Sequence, residues 1–238
     1  MQKKYKMGIG MVALAVILIG YHAIFLEHPK SAIPAMALPL ENKVIVLDAG
    51  HGGFDAGAST GTGENFLAEK EINLDVALFL RDYLEQSGAK VLLTRTEDES
   101  TEDATAKGKA AKKSDLQNRK SLGADNHADA FISIHMNRFS DPKVHGTQVF
   151  YGATPESGKR LGESIQQGFA EILGEESSRM IKKADGIFIL NDTKIPSVLV
   201  ECGFLSNPQE AELLRQKDYR KKLAYGIYVG LARFFETQ

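Results

Sequence analysis

Three stretches of the chain each join a mostly apolar run to a residue that can bind a metal ion or move a proton. They are Val44–Leu47 followed by His51, Phe131–Ile134 followed by His135, and Ser197–Val200 followed by Glu201. Short apolar runs rich in β-branched residues are typical of buried strands. In open α/β sheets, ligands bind at the carboxyl ends of the strands. If these three strands lie parallel in one sheet, the two histidines and the glutamate meet at one edge.

Two histidines and one carboxylate form a common catalytic zinc site, which leaves the fourth coordination position open for water. Zinc lowers the pKa of that water toward about 7, and a further carboxylate can pass its proton to a leaving amine. The chain offers Glu69 as a second glutamate for this set. Residue types alone do not decide which glutamate binds metal, and Asp48 and Asp55 stay open as candidates. Glu69 also has a structural interpretation, because a carboxylate at a helix start interacts favourably with the helix dipole.

The glycines around His51 allow a second interpretation of the first stretch. The segment Asp48–Gly53 must turn tightly, and glycine tolerates the positive φ angles of such turns. Backbone N–H groups of a glycine loop can also hold a phosphate, which would suit a phosphate-ester hydrolase. The G-K-[ST] ending of phosphate loops and the H-E-x-x-H motif of many metalloproteases are both absent from the sequence. The loop therefore does not by itself identify the reaction.

Alternating strands and helices must position these residues. After Glu69, apolar residues recur at helical spacing as far as Gly88, which ends the predicted helix. Ala89–Thr94 is the next strand, and the polar residues Arg95–Ser114 predict an exposed loop. The second half adds strands at Gly146–Tyr151 and Gly186–Leu190, and helices that begin near Ser114, Pro155, Pro208 and Asp218. This alternation predicts a single α/β domain with a largely parallel, mixed sheet flanked by helices on both faces.

The amino-terminal residues are predicted to lie outside this domain. Residues 1–6 carry three lysines and no acid, and residues 7–26 carry no Asp, Glu, Lys or Arg. About 20 apolar residues span a bilayer as a helix, and a basic flank stays in the cytoplasm. We therefore interpret residues 1–26 as a cytoplasmic basic tip and signal-anchor helix, 27–42 as an extended linker and 43–238 as the catalytic domain. A signal peptide cleaved after Ala37 is the alternative, and both interpretations place the domain outside the cytoplasm.

Charge and cysteine content exclude some classes of function. The formal net charge is −2, which gives no reason to expect a nucleic-acid partner. Cys202 is the single cysteine, so no intramolecular disulfide can form. Because Cys202 follows Glu201 at the end of an apolar strand, we interpret it as a packing residue and not as a nucleophile.

Four ordered motifs carry a resemblance to a known family. They are Val46–Gly53 (VLDAGHGG), Glu69–Leu74 (EKEINL), Phe131–Asn137 (FISIHMN) and Pro196–Asn207 (PSVLVECGFLSN). Together they resemble the zinc-dependent N-acetylmuramoyl-L-alanine amidases of bacterial cell walls, the amidase 3 family, over residues 43–235. The chain departs from the family pattern at Ala49, where proline is usual, and at Arg138, where a small residue is usual.

The resemblance implies a role for each candidate residue. His51, Glu69 and His135 are the expected ligands of a zinc ion, and Glu201 is the expected general base and acid. The implied reaction is hydrolysis of the amide between the lactyl group of N-acetylmuramic acid and L-alanine, which removes stem peptides from peptidoglycan glycan strands. The metal role of Glu69 rests on the resemblance, because its position alone favours the helix-start interpretation.

The overall layout is similar to that of the spore-cortex amidases of endospore-forming bacteria, which prepare the muramic-δ-lactam needed for germination. A vegetative autolysin or cell-separation amidase is the alternative within the family. A non-catalytic, membrane-tethered peptidoglycan-binding protein is the alternative outside it. The expected partners are peptidoglycan and, through the amino-terminal helix, a membrane; an activating protein partner is left open by the sequence.

Overall fold

The computed structural model describes residues 39–237, except residues 104, 153–154, 175–178 and 192. The predicted signal-anchor helix and most of the predicted linker lie outside the described residues, and so does Thr154 at the start of one predicted helix. Within the described part of the chain, no helix is long and apolar enough to cross a bilayer.

Strands and helices alternate along the described chain. The strands are Val44–Ala49 (β1), Ser59–Thr60 (β2), Leu67–Ala68 (β3), Lys90–Leu93 (β4), Ala130–Asn137 (β5), Gln148–Tyr151 (β6), Lys182–Lys183 (β7) and Ser197–Phe204 (β8). The α-helices are Glu69–Gln86 (α1), Lys109–Asp125 (α2), Pro155–Leu173 (α3), Pro208–Arg215 (α4) and Lys217–Glu236 (α5). Short 3-10 turns lie at Gly63–Asn65 and Phe188–Leu190.

A six-stranded sheet in the order β4-β1-β5-β8-β6-β7 forms the centre of the fold. β4, β1, β5 and β8 run parallel to one another, whereas β6 runs antiparallel to β8. The three strands that precede the candidate residues are therefore adjacent and parallel, as predicted. β5 and β8 extend beyond their predicted ends, so that His135 and Glu201 lie within the strands as paired neighbours.

Helices cover both faces of the sheet, which confirms the predicted α/β arrangement. The larger apolar cluster packs α1, α3 and α5 against one face, with Ile72, Phe169 and Ile227 fully buried. The smaller cluster lies on the other face, where Leu116 of α2 packs near Phe131. Full burial of one such side chain contributes about 1.5–3 kcal/mol. Packing from both sides therefore holds the central strands, and the edge at which they end, in one arrangement.

Two segment predictions are wrong. Gly186–Leu190 is not a strand: Phe188–Leu190 forms a 3-10 turn, closed by the N–H of Leu190 donating to the carbonyl of Ile187 at 3.1 Å, and β7 pairs with β6 instead. The loop predicted to reach Ser114 ends earlier, because α2 begins at Lys109 in a segment of lysines and alanines that favour helix. Arg95, at the start of that loop, is buried and not exposed.

Candidate metal centre

His51 lies in the tight loop that follows β1. Its φ of 62° is in the left-handed region, and the φ angles of Gly52 and Gly53 are also positive. Nδ1 of His51 donates to Oδ2 of Asp55 at 2.8 Å, and Nε2 lies 3.1 Å from Oε1 of Glu69. Burial disfavours the charged ring, but the hydrogen bonds to Asp55 and Glu69 outweigh burial and raise the pKa of His51 to about 9. Asp55 thereby selects the tautomer and orientation of the ring.

Glu69 is the first residue of α1, as predicted, and it is buried. Its Oε1 lies 2.9 Å from Nδ1 of His135 and accepts the N–H of Met136 at 3.1 Å. Its Oε2 accepts the N–H of Ala58 at 2.7 Å. Burial would raise the pKa of Glu69, but hydrogen bonds with His135 and His51 outweigh it and hold the pKa well below its usual range. Glu69 is therefore an ionised carboxylate that both histidines approach.

Two glycines make room for this close approach. A Cβ added to Gly50 would lie 2.3 Å from two ring atoms of His135. A Cβ on Gly57, whose φ is +68°, would lie 2.5 Å from Oε2 of Glu69. Real Cβ atoms do not come this close, so a larger residue at either position would displace the side chains of the cluster.

The structure brings the three predicted ligands together. One donor atom from each of His51, Glu69 and His135 lies within 4.8 Å of the other two. Two imidazole nitrogens and one carboxylate oxygen are a donor set that zinc accepts, with bonds of about 2.0–2.2 Å, whereas calcium and magnesium prefer oxygen ligands. The separations need only small side-chain adjustments for such bonds, so the residues present fit a single zinc ion.

Glu201 is the neighbour of His135 across the β5–β8 pair. Paired residues on adjacent strands point to the same face of a sheet, which directs Glu201 toward the cluster. Within the described chain, Oε2 of Glu201 is a buried oxygen without a hydrogen-bond partner. Burial raises the pKa of Glu201 to about 7, against the attraction of His135. A carboxyl group with this pKa can accept and return a proton near neutral pH.

The two aspartates that the sequence left open do not join the cluster. Asp48 is buried and bound by Arg119 at 3.0 Å, Ser133 at 2.5 Å and Thr94 at 2.9 Å. Asp55 lies behind His51, on the side of the ring away from Glu69. In the described structure, the three donor groups that converge are those of His51, Glu69 and His135, and neither aspartate belongs to them.

Two buried arginines bind the backbone of the loop that carries His51. The sequence analysis predicted neither contact. Arg119 of α2 donates to the carbonyl oxygens of Ala49 at 2.8 Å and His51 at 2.7 Å. Arg95 donates to Ala49 at 2.9 Å and Gly50 at 3.2 Å. Both side chains therefore satisfy carbonyl groups that a tight loop cannot pair within itself.

A signal for one of these arginines was present in the sequence. Asp115 and Arg119 are four residues apart on a predicted helix, a spacing that brings opposite charges together, and Nε of Arg119 donates to Asp115 at 2.9 Å. Such a pair is ordinarily assigned to an exposed helix face, so the pattern does not indicate burial. Cys202, in contrast, is buried as predicted, and burial raises the pKa of its thiol.

The family model described as N-acetylmuramoyl-L-alanine amidase matches residues 45–233. The chain belongs to this family. This amidase is 39% identical to the germination-specific N-acetylmuramoyl-L-alanine amidase of Bacillus subtilis strain 168 over 200 residues, which are 84% of the chain and 82% of the relative. It is 35% identical to LytC of the same strain over 199 residues, 83% of the chain but 36% of LytC.

A solved structure gives the same result for the fold. The CwlD amidase from Clostridioides difficile, determined in complex with the GerS lipoprotein, aligns with a TM-score of 0.79 and 39% identity over 83% of this chain and 100% of that one. The resemblance carried by the four motifs is therefore confirmed. The protein is an N-acetylmuramoyl-L-alanine amidase, an enzyme of peptidoglycan.

Proposed function

We propose that this amidase is a zinc enzyme in which His51, Glu69 and His135 hold the metal and Glu201 transfers the proton. The observation that supports this assignment is the convergence of three donor atoms within 4.8 Å, beside a carboxylate whose buried oxygen lacks a partner in the described structure. His51 would bind through Nε2, because Asp55 occupies Nδ1. His135 would bind through Nδ1, the nitrogen that faces Glu69.

The bond cleaved is the amide between the lactyl carbonyl of N-acetylmuramic acid and the nitrogen of L-alanine. A bound zinc ion supplies Lewis-acid polarisation and a more acidic water. Glu201 takes a proton from the attacking water and delivers it to the alanine nitrogen as the carbon–nitrogen bond breaks. Asp55 keeps the ring of His51 oriented throughout. The products are a free lactyl carboxyl group and a stem peptide with a free amino terminus.

The proposed substrate is spore-cortex peptidoglycan, in which loss of the stem peptide precedes formation of muramic-δ-lactam. The germination-specific relative, which this chain matches over most of its length, supports this substrate. The vegetative cell wall is the alternative substrate. Muropeptide analysis of spores from a strain lacking the gene separates the two: loss of muramic-δ-lactam supports the cortex, and an unchanged lactam content contradicts it.

We further propose that residues 1–26 anchor the enzyme and residues 27–42 tether the amidase domain outside the cytoplasm. Cell walls lie outside the cytoplasmic membrane, so an amidase that acts on them must be exported. CwlD of Clostridioides difficile forms a complex with a lipoprotein, and we propose that this chain also has an activating protein partner. Activity measured with and without extracts of the envelope tests for such a partner.

The zinc assignment is tested by metal content and turnover of the purified full-length chain on peptidoglycan. We expect about one zinc per chain, release of peptides with an alanine amino terminus, loss of release after chelation and recovery with zinc. Full activity of a chelated, metal-free protein would contradict the assignment. Recovery of peptide release with magnesium and not with zinc would also contradict the zinc assignment.

A further inference from the structure

A groove opens beyond the carboxyl ends of β5 and β8, the strands that carry His135 and Glu201. Its volume is about 550 Å³, within the range of about 300–1,000 Å³ that is typical of ligand sites. Arg138 and Phe139 form one wall, Thr60 of β2 another, and Leu205 and Ser206 the corner after β8. Among the described residues that line it, none is acidic. Arg138 follows His135 by three residues, although none of the three proposed ligands lines the groove itself.

The side chain of Arg138 contacts β2, which pairs with the strand that ends at Ala68, just before Glu69. Its Nη1 donates to the carbonyl oxygen of Ser59 at 2.5 Å. Ser59 follows Ala58, whose N–H holds Oε2 of Glu69 at 2.7 Å. Consecutive Cα atoms are about 3.8 Å apart, so the guanidinium lies close to the residue that anchors a proposed ligand. A positive charge is therefore held near the segment that positions Glu69.

The segment that carries Arg138 is tied down at both sides of the groove. The N–H of Phe139 donates to Oγ of Ser206 at 3.0 Å, and Nδ2 of Asn207 donates to the carbonyl of Pro142 at 2.9 Å. Phe139 is 55% exposed and adds an apolar surface to the lining of the groove. The groove thus combines a cation with an apolar wall on a segment of defined geometry.

This combination suits a carboxylate attached to a short carbon chain. A guanidinium offers five N–H donors in a planar fork that matches a carboxylate, and the recorded bond of Arg138 to Ser59 uses one of them. Stem peptides of peptidoglycan carry free carboxylates on the residues that follow L-alanine.

We propose that Arg138 determines specificity by binding a carboxylate of the stem peptide beyond L-alanine. The proposal rests on the proposed function, because it takes the substrate from it. The carboxylate of the second peptide residue and that of the third offer the same chemistry, so the experiment below separates them. Arg138 would act on substrate affinity and not on the chemical step.

The experiment compares the full-length protein with Arg138→Ala and Arg138→Lys on three muramoyl tripeptides. One substrate has free carboxylates on the second and third residues, one is amidated on the second and one on the third. KM and kcat are measured for each substrate. Kd is measured by calorimetry in proteins that also carry Glu201→Gln, so that the substrate is not consumed during the titration. Lys143→Ala is the control, because it removes an exposed positive charge from the same loop without lining the groove.

We expect Arg138→Ala to raise KM and Kd of the free tripeptide by about 10- to 100-fold, with kcat nearly unchanged. The tripeptide amidated at the bound carboxylate should bind the protein and Arg138→Ala alike, which identifies the residue recognised. Arg138→Lys should recover part of the affinity, and Lys143→Ala should resemble the unchanged protein. Equal weakening of all three substrates, or no weakening of any, would overturn the proposal.

The same measurements distinguish a failure of the proposed amidase chemistry from a failure of the proposed carboxylate site. If the unchanged protein releases no peptide from any substrate, the proposed amidase chemistry fails, while the calorimetric Kd values still decide whether Arg138 recognises a carboxylate. If the unchanged protein is active and Arg138→Ala does not discriminate between free and amidated substrates, the carboxylate site alone fails.

Discussion

Asp55 accepts a hydrogen bond from Nδ1 of His51 at 2.8 Å, on the side of the ring opposite Glu69. Lys112 of α2 contacts the same carboxylate oxygen. The hydrogen bonds from His51 and Lys112 keep the pKa of Asp55 well below its usual range, in spite of its partial burial. Asp55 is therefore a fixed negative charge behind the histidine, an arrangement that metal-binding histidines commonly have.

Asp55→Asn should weaken zinc binding by about 10- to 100-fold, the usual effect of losing such a partner. The amide keeps the size of the side chain but removes the charge that orients and polarises the ring. Competition with a chelator of known affinity measures the change. Asp82→Asn, at an exposed position on α1, is the control and should bind zinc normally. Equal affinities in both variants would contradict the role of Asp55.

Gly57→Ala should reduce zinc affinity much more than Gly63→Ala. Both glycines have positive φ angles, +68° and +55°, so both substitutions introduce similar backbone strain. At Gly57 the new Cβ would lie 2.5 Å from Oε2 of Glu69 and 2.7 Å from the ring of His51, whereas at Gly63 nothing described lies within 4 Å. Zinc titration with a parallel measurement of unfolding separates the two effects. A similar zinc affinity in the two variants would mean that the cluster tolerates the added methyl group.

Glu201→Gln should retain zinc and lose turnover by at least about 10²- to 10⁴-fold. Glutamine has the shape of glutamate but cannot accept the proton from water. His51→Ala should instead lose the metal, because it removes a donor atom. Zinc content and the rate of peptide release are measured on the same preparations. Peptide release by Glu201→Gln at the unchanged rate would rule out the proposed proton transfer.

Arg119→Met should destabilise the fold by about 3–5 kcal/mol. The substitution leaves Asp48 buried without its ion-pair partner. It also removes the donor to the carbonyl of His51 and one of the two arginine donors to the carbonyl of Ala49. Arg81→Met, at a surface pair with Asp82, should change the free energy of unfolding by less than about 0.5 kcal/mol. Urea unfolding of both variants gives the comparison. A loss below about 1 kcal/mol in Arg119→Met would show that the buried pair contributes little.

Stability should fall in acid partly through Asp48. Burial opposes its ionisation, but Arg119 and the hydroxyl of Ser133 outweigh burial and lower its pKa from 3.8. Since the unfolded chain binds this proton more readily, the contribution is present above pH 3.8 and disappears as the pH falls through the lower folded value. Asp48→Asn should therefore show a shallower pH dependence of its unfolding free energy in this range. If the unfolding free energy of Asp48→Asn varied with pH in parallel to that of the unchanged protein, Asp48 would not contribute to the loss of stability in acid.

Local patterns in the sequence predicted the central strands and the ends at which chemistry occurs. Apolar runs identified β1, β5 and β8, and helical spacing identified α1 with Glu69 at its start. The segment Gly186–Leu190 was misassigned because a short buried run has the same composition in a strand as in a 3-10 turn. The loop after Arg95 was predicted to end too late, because its lysines and alanines were assigned to the loop although they favour helix. Arg95 was predicted to be exposed because charged residues are exposed in most proteins.

The sequence by itself determined which residue types reach the ends of the strands, because strand and helix periodicity are local properties. Only the tertiary structure decided that Glu69 joins the histidines, since its contact with His135 spans 66 residues and depends on how α1 packs on the sheet. It also decided that Asp48 and Arg119 are buried beneath the loop of His51. Burial and charge pairing are set by residues distant in sequence, so no local pattern contains them.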